Sequence, residues 1–152
     1  MRAMSSITED AMRIIEVEGL NFIKKNFRDQ GFHGESFEKW KERKKTDSRG
    51  RDKTRYRTNR RGNIGELTKF GRKEQGRAIL TGHRSGGDKL RNSIRARRQG
   101  LKNIFYTYKA YGEIHNEGTD NIPKRQYMGN SPVLNKKIAD KIKRTLDRQF
   151  KR

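Results

Sequence analysis

The chain contains no cysteine. That excludes disulfide bonds, thiolate nucleophiles and cysteine-ligated zinc, and it is compatible with a reducing cytoplasm. Apolar residues are scarce as well, at 29% of 152 residues. A domain of this length buries roughly two thirds of its unfolded surface, and only when its apolar residues are well placed. Either part of the chain contributes little to a core, or part of the stability comes from neighbouring subunits. No run approaches the roughly 20 apolar residues that cross a bilayer. Met1 to Asp10 has no apolar stretch of signal-peptide length. The expectation is a soluble protein with no membrane partner. Acidic residues are also few, 18 against 39 Lys and Arg, which leaves a formal charge of +21. Charge this one-sided repels itself and points to a polyanionic or acidic partner, either nucleic acid or an acidic protein surface.

What is present is organised by periodicity. Ile7, Ala11, Ile14, Ile15, Phe22, Ile23 and Phe27 recur near helical spacing, which predicts an amphipathic core helix. Ser6 followed by Glu9 reads as a capping box at its start. Gly19 weakens its middle, and Gly31 reads as its stop. Phe37 and Trp40 are the last apolar residues before the composition changes. Sixteen basic residues and five acids lie between Lys39 and Arg77. Between Lys41 and Asn63 the only aromatic is Tyr56, and there is no aliphatic residue. Burial cannot offset the ordering entropy of such a segment. It reads as a long basic mobile arm, inserted at about residues 41–77 of a single domain spanning 1–152. Ile64, Leu67 and Phe70 mark its re-entry as a short helix. A run like this is either a solvated face or a contact surface for a polyanion or partner. The candidate contacts are Lys44, Lys45, Arg49, Arg51, Arg55, Arg57, Arg60 and Arg61. Arg-rich segments bind phosphates without sequence preference, but one tyrosine is too little for a stacking platform.

Downstream, Thr81-Gly82 and Gly86-Gly87 are turn signals. Leu90 to Arg97 reads as a strand with Ile94 and Ala96 on one face. Gly100 is a turn, and Leu101 to Tyr111 reads as the antiparallel partner strand. Ile104, Tyr106, Tyr108 and Ala110 alternate with the other residues, as in a half-buried strand. The closing helix has Ser131 as N-cap and Pro132 at its first position. Leu134, Ile138, Ile142, Leu146 and Phe150 then form an i, i+4 row, read as core packing or as a subunit interface. The fold class is α+β: a small, mainly antiparallel sheet packed with an N-terminal and a C-terminal helix.

The residues that could carry chemistry do not assemble into a site. His115 lies beside Glu113 and Glu117, while His33 and His83 are far away in loop-like sequence. A metal site needs three or four converging ligands, and a nuclease needs carboxylates gathered around a metal. The acids here are scattered among Lys and Arg. His115 reads as a structural histidine at a strand end. The glycines match neither a phosphate-binding loop nor a dinucleotide fingerprint. No catalytic, metal or cofactor-binding residue is assigned, and the chain does not read as an enzyme.

Three clusters, in order, carry a family likeness. The first is Leu80-Thr81-Gly82 followed by Leu90, Ser93 and Ile94. The second runs from Tyr111 to Gly118, with Ile114-His115 at its centre. The third is Ile122-Pro123-Lys124-Arg125-Gln126-Tyr127-Met128-Gly129, just before the last helix. Together with Phe37 and Trp40, they resemble phage virion morphogenesis proteins of the Mu-like tail-completion type. There are departures: His83 to Asp88 lengthen one link, Gly112 stands where Ala is common, Gln126 where Pro is common, and Tyr127 where Phe is common. The resemblance implies a structural protein of the head-tail neck or tail terminus. It forms a ring with itself, a hexamer by the family's pattern, beside connector or tail tube proteins. The expected location is the virion, with the host cytoplasm during assembly. In such a ring the strand Phe105–Tyr111 and the loop Ile122–Gly129 are candidate subunit surfaces, with Tyr108, Tyr111, Arg125 and Tyr127 as the residues. Arg125 either pairs with an acid of the next subunit or snorkels over the start of the last helix. The reading of a different class is a basic nucleic-acid-binding protein, involved in DNA packaging or associated with RNA.

Overall fold

A computed structural model describes residues 2–42, 49–50, 65–81 and 87–150. The chain divides into two compact units. One comprises residues 1–41 and 82–152, the other residues 42–81. The architecture is α+β, with two small antiparallel sheets and a long helix near each end.

In the first unit, α1 spans Arg2–Asp29. Ser6 therefore lies inside the helix rather than at its cap. Of the predicted stripe, Phe22, Ile23 and Phe27 are buried and Ile7, Ala11, Ile14 and Ile15 half-buried, while Met12, outside that stripe, is buried too. Gly19 has a packing role. A Cβ there would lie 2.6 Å from Cε1 of Phe105 and closer still to Cζ, so the missing side chain lets an aromatic ring approach the helix backbone. The helix ends at Asp29, and the left-handed residue that stops it is Gln30, not Gly31. Gln30 has a φ of 58°, and its side-chain Nε2 donates to the Phe27 carbonyl at 2.5 Å. Gly31 instead starts β1 (Gly31–His33), where a Cβ would run into the Phe37 ring.

β1 pairs with β2 (Phe37–Lys39) in a hairpin of register His33↔Phe37 and Gly31↔Lys39. The hairpin presents Phe32 edge-on to Phe22, 5.7 Å between centroids. Trp40, just beyond it, meets Phe27 in the same way at 5.5 Å. Leu90–Asn92 is a 3-10 turn rather than the start of a strand. β3 (Ile94–Gln99) and β4 (Lys102–Thr107) follow, paired from Ile94↔Thr107 to Gln99↔Lys102. Phe105 and Asn103 face α1, and Asn103 Nδ2 donates to the Met12 carbonyl at 2.9 Å. Ile104 and Tyr106 alternate onto the opposite face.

In the second unit, α2 (Lys69–Glu74) is capped by Thr68, whose Oγ1 accepts from Gly71 N at 2.9 Å. This is the short helix read around Leu67 and Phe70; Ile64 lies outside the described residues.

Back in the first unit, the residues after β4 do not extend the strand. They form a two-turn helix, α3 (Tyr111–Glu117). The last helix, α4 (Pro132–Phe150), starts as expected: Leu134 N donates to Ser131 Oγ at 3.2 Å and Asn135 N to Ser131 O at 2.9 Å. Ser131 also donates to the His33 carbonyl at 2.7 Å. α4 runs antiparallel to α1, because Lys137 meets Glu18 while Gln149 meets Asp10.

Candidate functional site

Those parts of the three sequence clusters that lie among the described residues of the first unit converge on one point; Leu80 and Thr81 belong to the second unit, and Gly82 lies outside the described residues. Tyr127 is fully buried. Its ring packs against Phe27 at 4.9 Å, and its backbone is held on both sides. Asn116 Oδ1 accepts from the backbone N–H groups of Tyr127 and Met128 at 3.0 and 2.9 Å. The buried Asn26 donates to Tyr127 O at 3.2 Å. One residue earlier, Gln126 O accepts from Trp40 Nε1 at 2.7 Å. Arg125 N donates to His115 O at 2.8 Å. The Tyr127 hydroxyl points at α3: a Cβ on Gly112 would lie 2.8 Å from it, 2.5 Å from Thr107 Cγ2 and 3.3 Å from Leu90 Cδ1. Thr107 is fixed by Ser93, with 2.5 Å between the two hydroxyl oxygens, and Ser93 Oγ also donates to Leu90 O at 2.7 Å. Residues of the Leu90–Ile94, Tyr111–Gly118 and Ile122–Gly129 stretches, with Trp40, thus form a single packed framework.

Tyr127 Oη has no hydrogen-bond partner among the described residues. Burial pushes its pKa up to about 12. Gly118, with a φ of 81°, closes α3 where a Cβ would meet Lys124 N at 2.7 Å. This sets the turn that leads into the third cluster.

The residues picked out as subunit contacts separate into two pairs. Arg125 and Tyr127 are buried within the subunit, and Arg125 Nε donates to Lys41 O at 2.9 Å. They can influence a subunit surface only through the backbone they hold. Tyr108 and Tyr111 are exposed. Among the basic-arm candidates, Arg49 is described and exposed. Lys44, Lys45, Arg51, Arg55, Arg57, Arg60 and Arg61 lie outside the described residues, as does His83.

His115 sits on α3, not at a strand end. It is half-buried, with the centre of the Tyr111 ring 5.9 Å away in an edge-on arrangement. His33 belongs to β1 rather than a loop. Its Nε2 lies 2.8 Å from Asp29 Oδ2, and Lys25 Nζ lies 2.6 Å from the same oxygen. Hydrogen bonds from Lys25, then His33, hold the Asp29 carboxyl well below the usual range. Among the described residues no three His, Asp or Glu side chains gather in a way that could hold an ion. No helix among them is long and apolar enough to cross a membrane.

Periodicity also missed a buried acid. Glu18, four residues before Phe22, is only 3% exposed. Lys137 Nζ lies 2.8 Å from its Oε2, and Lys141 Nζ contacts Oε1. Hydrogen bonds from Lys137, then Lys141, lower its pKa. The signal was available in the sequence as an acid on the apolar stripe of one helix and two lysines four apart on another. Above this pair, α1, β1 and the start of α4 enclose a cleft of about 590 Å³, lined by Lys24, Lys25, Arg28, His33 and Lys137 over Phe22 and Leu134. Its charge is partly neutralised by Glu18 in its lining and by Asp29, which pairs with the lining residues Lys25 and His33.

No family model, no curated protein and no solved structure matches the chain.

Proposed function

We propose that the protein is a structural component of a phage head-tail neck or tail terminus, acting as a closed ring of identical subunits that completes or joins the tail. The observation that carries this reading is the framework around Tyr127. Apart from Leu80-Thr81-Gly82 and the exposed Phe37, the stretches that resemble the virion morphogenesis family pack together in the first unit. They hold one another in place through Asn116, Arg125, Ser93 and Trp40. Two departures from the family pattern are in contact. The hydroxyl that distinguishes Tyr127 from Phe, together with Thr107 Cγ2, occupies space that a Cβ on residue 112 would need, so Gly112 leaves room for Tyr127 here.

The last helix supports assembly. α4 has 19 residues and none of them is buried within the subunit. Its apolar row lies half-covered against α1, while Val133 and Phe150 remain exposed, Phe150 at 77%. A neighbouring subunit covering this layer would supply apolar burial that the lone chain lacks. In a ring each subunit uses two different surfaces, and the α1–α4 layer is one of them. The test is electron microscopy of assemblies formed when the full chain is produced with the proteins encoded beside it. A closed ring of identical copies is expected. A single copy, no copy or an open filament would refute the reading; a count other than six would correct only the stoichiometry.

A further inference from the structure

The outer face of the β3–β4 hairpin carries a repeated pair. In the strand register Arg95 faces Tyr106 and Arg97 faces Ile104. Each arginine reaches diagonally, two residues further along the partner chain, to a tyrosine ring. The Arg97 guanidinium carbon lies 5.9 Å from the centre of the Tyr106 ring, and that of Arg95 lies 5.7 Å from the centre of the Tyr108 ring. Diagonal neighbours on a sheet face are within reach of long and aromatic side chains, and both contacts fall in the cation–π range. The two rings are nevertheless open, Tyr106 at 40% and Tyr108 at 57% exposure. Among the described residues neither Arg95 nor Arg97 has a carboxylate partner. The acid at the margin, Asp88, is paired with Lys109, whose Nζ lies 5.2 Å from the Tyr108 ring centre.

Two open rings flanked by cations fit a partner that offers both flat apolar faces and negative charge. A second copy of the same face would meet it with like charge. A duplex offers phosphates but keeps its base faces inside the stack. An extended single strand offers both. Spacing points the same way: Tyr106 is in β4 and Tyr108 lies one residue beyond its end, so at an extended rise of about 3.4 Å per residue their backbone positions are about 7 Å apart. Stacked bases repeat at about 3.4 Å along a strand. Consecutive bases can lie on both rings only when they are unstacked from each other.

We propose that the outer face of this hairpin binds single-stranded nucleic acid, with bases on Tyr106 and Tyr108 and phosphates on Arg95 and Arg97. Stacking of this kind tolerates any base sequence.

The test is fluorescence anisotropy of the full chain with a labelled oligothymidylate and with a duplex of equal length, at one moderate salt concentration. The rest of this basic chain attracts both polymers, so the readout is the difference between them. The single strand should bind more tightly. Replacing both rings, Tyr106→Ala with Tyr108→Ala, should weaken single-strand binding by roughly tenfold or more per ring and leave duplex binding unchanged. The rings are exposed, so circular dichroism and the thermal midpoint should barely move. Tyr106→Phe with Tyr108→Phe keeps the stacking faces and should retain wild-type affinity, where a loss would show that the hydroxyls and not the rings make the contact; the wild-type preference for the single strand tests the idea even if the alanine pair misfolds. Equal affinity of wild type for both polymers would overturn the proposal. So would an unchanged single-strand affinity in the alanine pair, or a loss of subunit association with no change in oligonucleotide binding. That last outcome would make the face a protein interface.

Discussion

Gly112 and Tyr127 form a matched pair, and the match can be measured. Gly112→Ala places a Cβ against Tyr127 Oη and Thr107 Cγ2, an overpacking that should cost about 1–3 kcal/mol. Tyr127→Phe deletes a buried hydroxyl that has no partner among the described residues, so it should be close to neutral or stabilising. In the Tyr127→Phe background the alanine should cost less, with a coupling of about 0.5–3 kcal/mol from chemical denaturation of the four proteins. It should not become free, because Thr107 stays pinned to Ser93. Additive effects would show that the hydroxyl and residue 112 do not compete for space.

Glu18 makes a second prediction at this scale. Its folded carboxyl has a lowered pKa, so its contribution to stability is complete above the unfolded value of about 4.3. That contribution is lost as pH falls through the lower folded value. Asp29 acts in the same direction. Glu18→Gln should lower stability near neutral pH by roughly 1.5–3 kcal/mol, the range for hydrogen bonds to charged groups. The difference from wild type should shrink as pH drops below about 4. Thermal melts between pH 2 and 7 measure it, and a gap that grows toward acid would contradict the assignment.

At the scale of elements, the two long helices were legible in the sequence because their apolar residues repeat at helical spacing over many turns. Ser131 and Pro132 also marked the start of α4 correctly. The α+β class and the antiparallel pairing of β3 with β4 were legible from β-favouring residues on either side of Gly100. What escaped was short or locally ambiguous. β1 and β2 have three residues each, too few for alternation to show. α3 follows directly on a run of tyrosines and begins Tyr-Gly, which locally favours strand and turn. The helix there is enforced by packing instead: Gly112 against Tyr127, and Asn116 bonded to the third cluster. Ser6 and Gly31 had the right chemistry for caps in the wrong places, because α1 begins at Arg2 and Gln30 takes the left-handed conformation. The site was legible as an ordered set of motifs, but not as a core. Nothing local marks Arg125 and Tyr127 as buried, since both are residue types that commonly sit at surfaces and interfaces.

Gly19 is the clearest element-scale test. In an exposed helix interior, Gly→Ala gains about 1 kcal/mol. Here the new Cβ would run into the Phe105 ring, so Gly19→Ala should destabilise by about 1–3 kcal/mol through overpacking. Phe105→Leu should partly relieve it. A stabilised Gly19→Ala protein would mean that β4 does not pack on this turn of α1.

For the whole molecule, the balance is between too little apolar area and too much charge of one sign. Each chain carries +21, and in the proposed ring identical copies would repel one another strongly at low ionic strength, where the screening length is about 30 Å at 0.01 M. In that proposed ring, burial on the α1–α4 layer would act in the opposite direction and be far less sensitive to salt. Assembly should therefore strengthen from low to moderate salt, and strengthen further on an acidic partner surface. Binding of single-stranded nucleic acid on the β3–β4 face should weaken over the same range. The proposed assembly through α4 and the proposed single-strand binding have opposite salt dependence, so each should be separable from the other. The most direct measurement is electron microscopy of assemblies isolated after the full chain is produced with its encoded neighbours, viewed end-on and counted. The account predicts a closed ring of identical copies whose contacts include α4. Assemblies that lack the protein, carry one copy, or extend it into an open filament would contradict it.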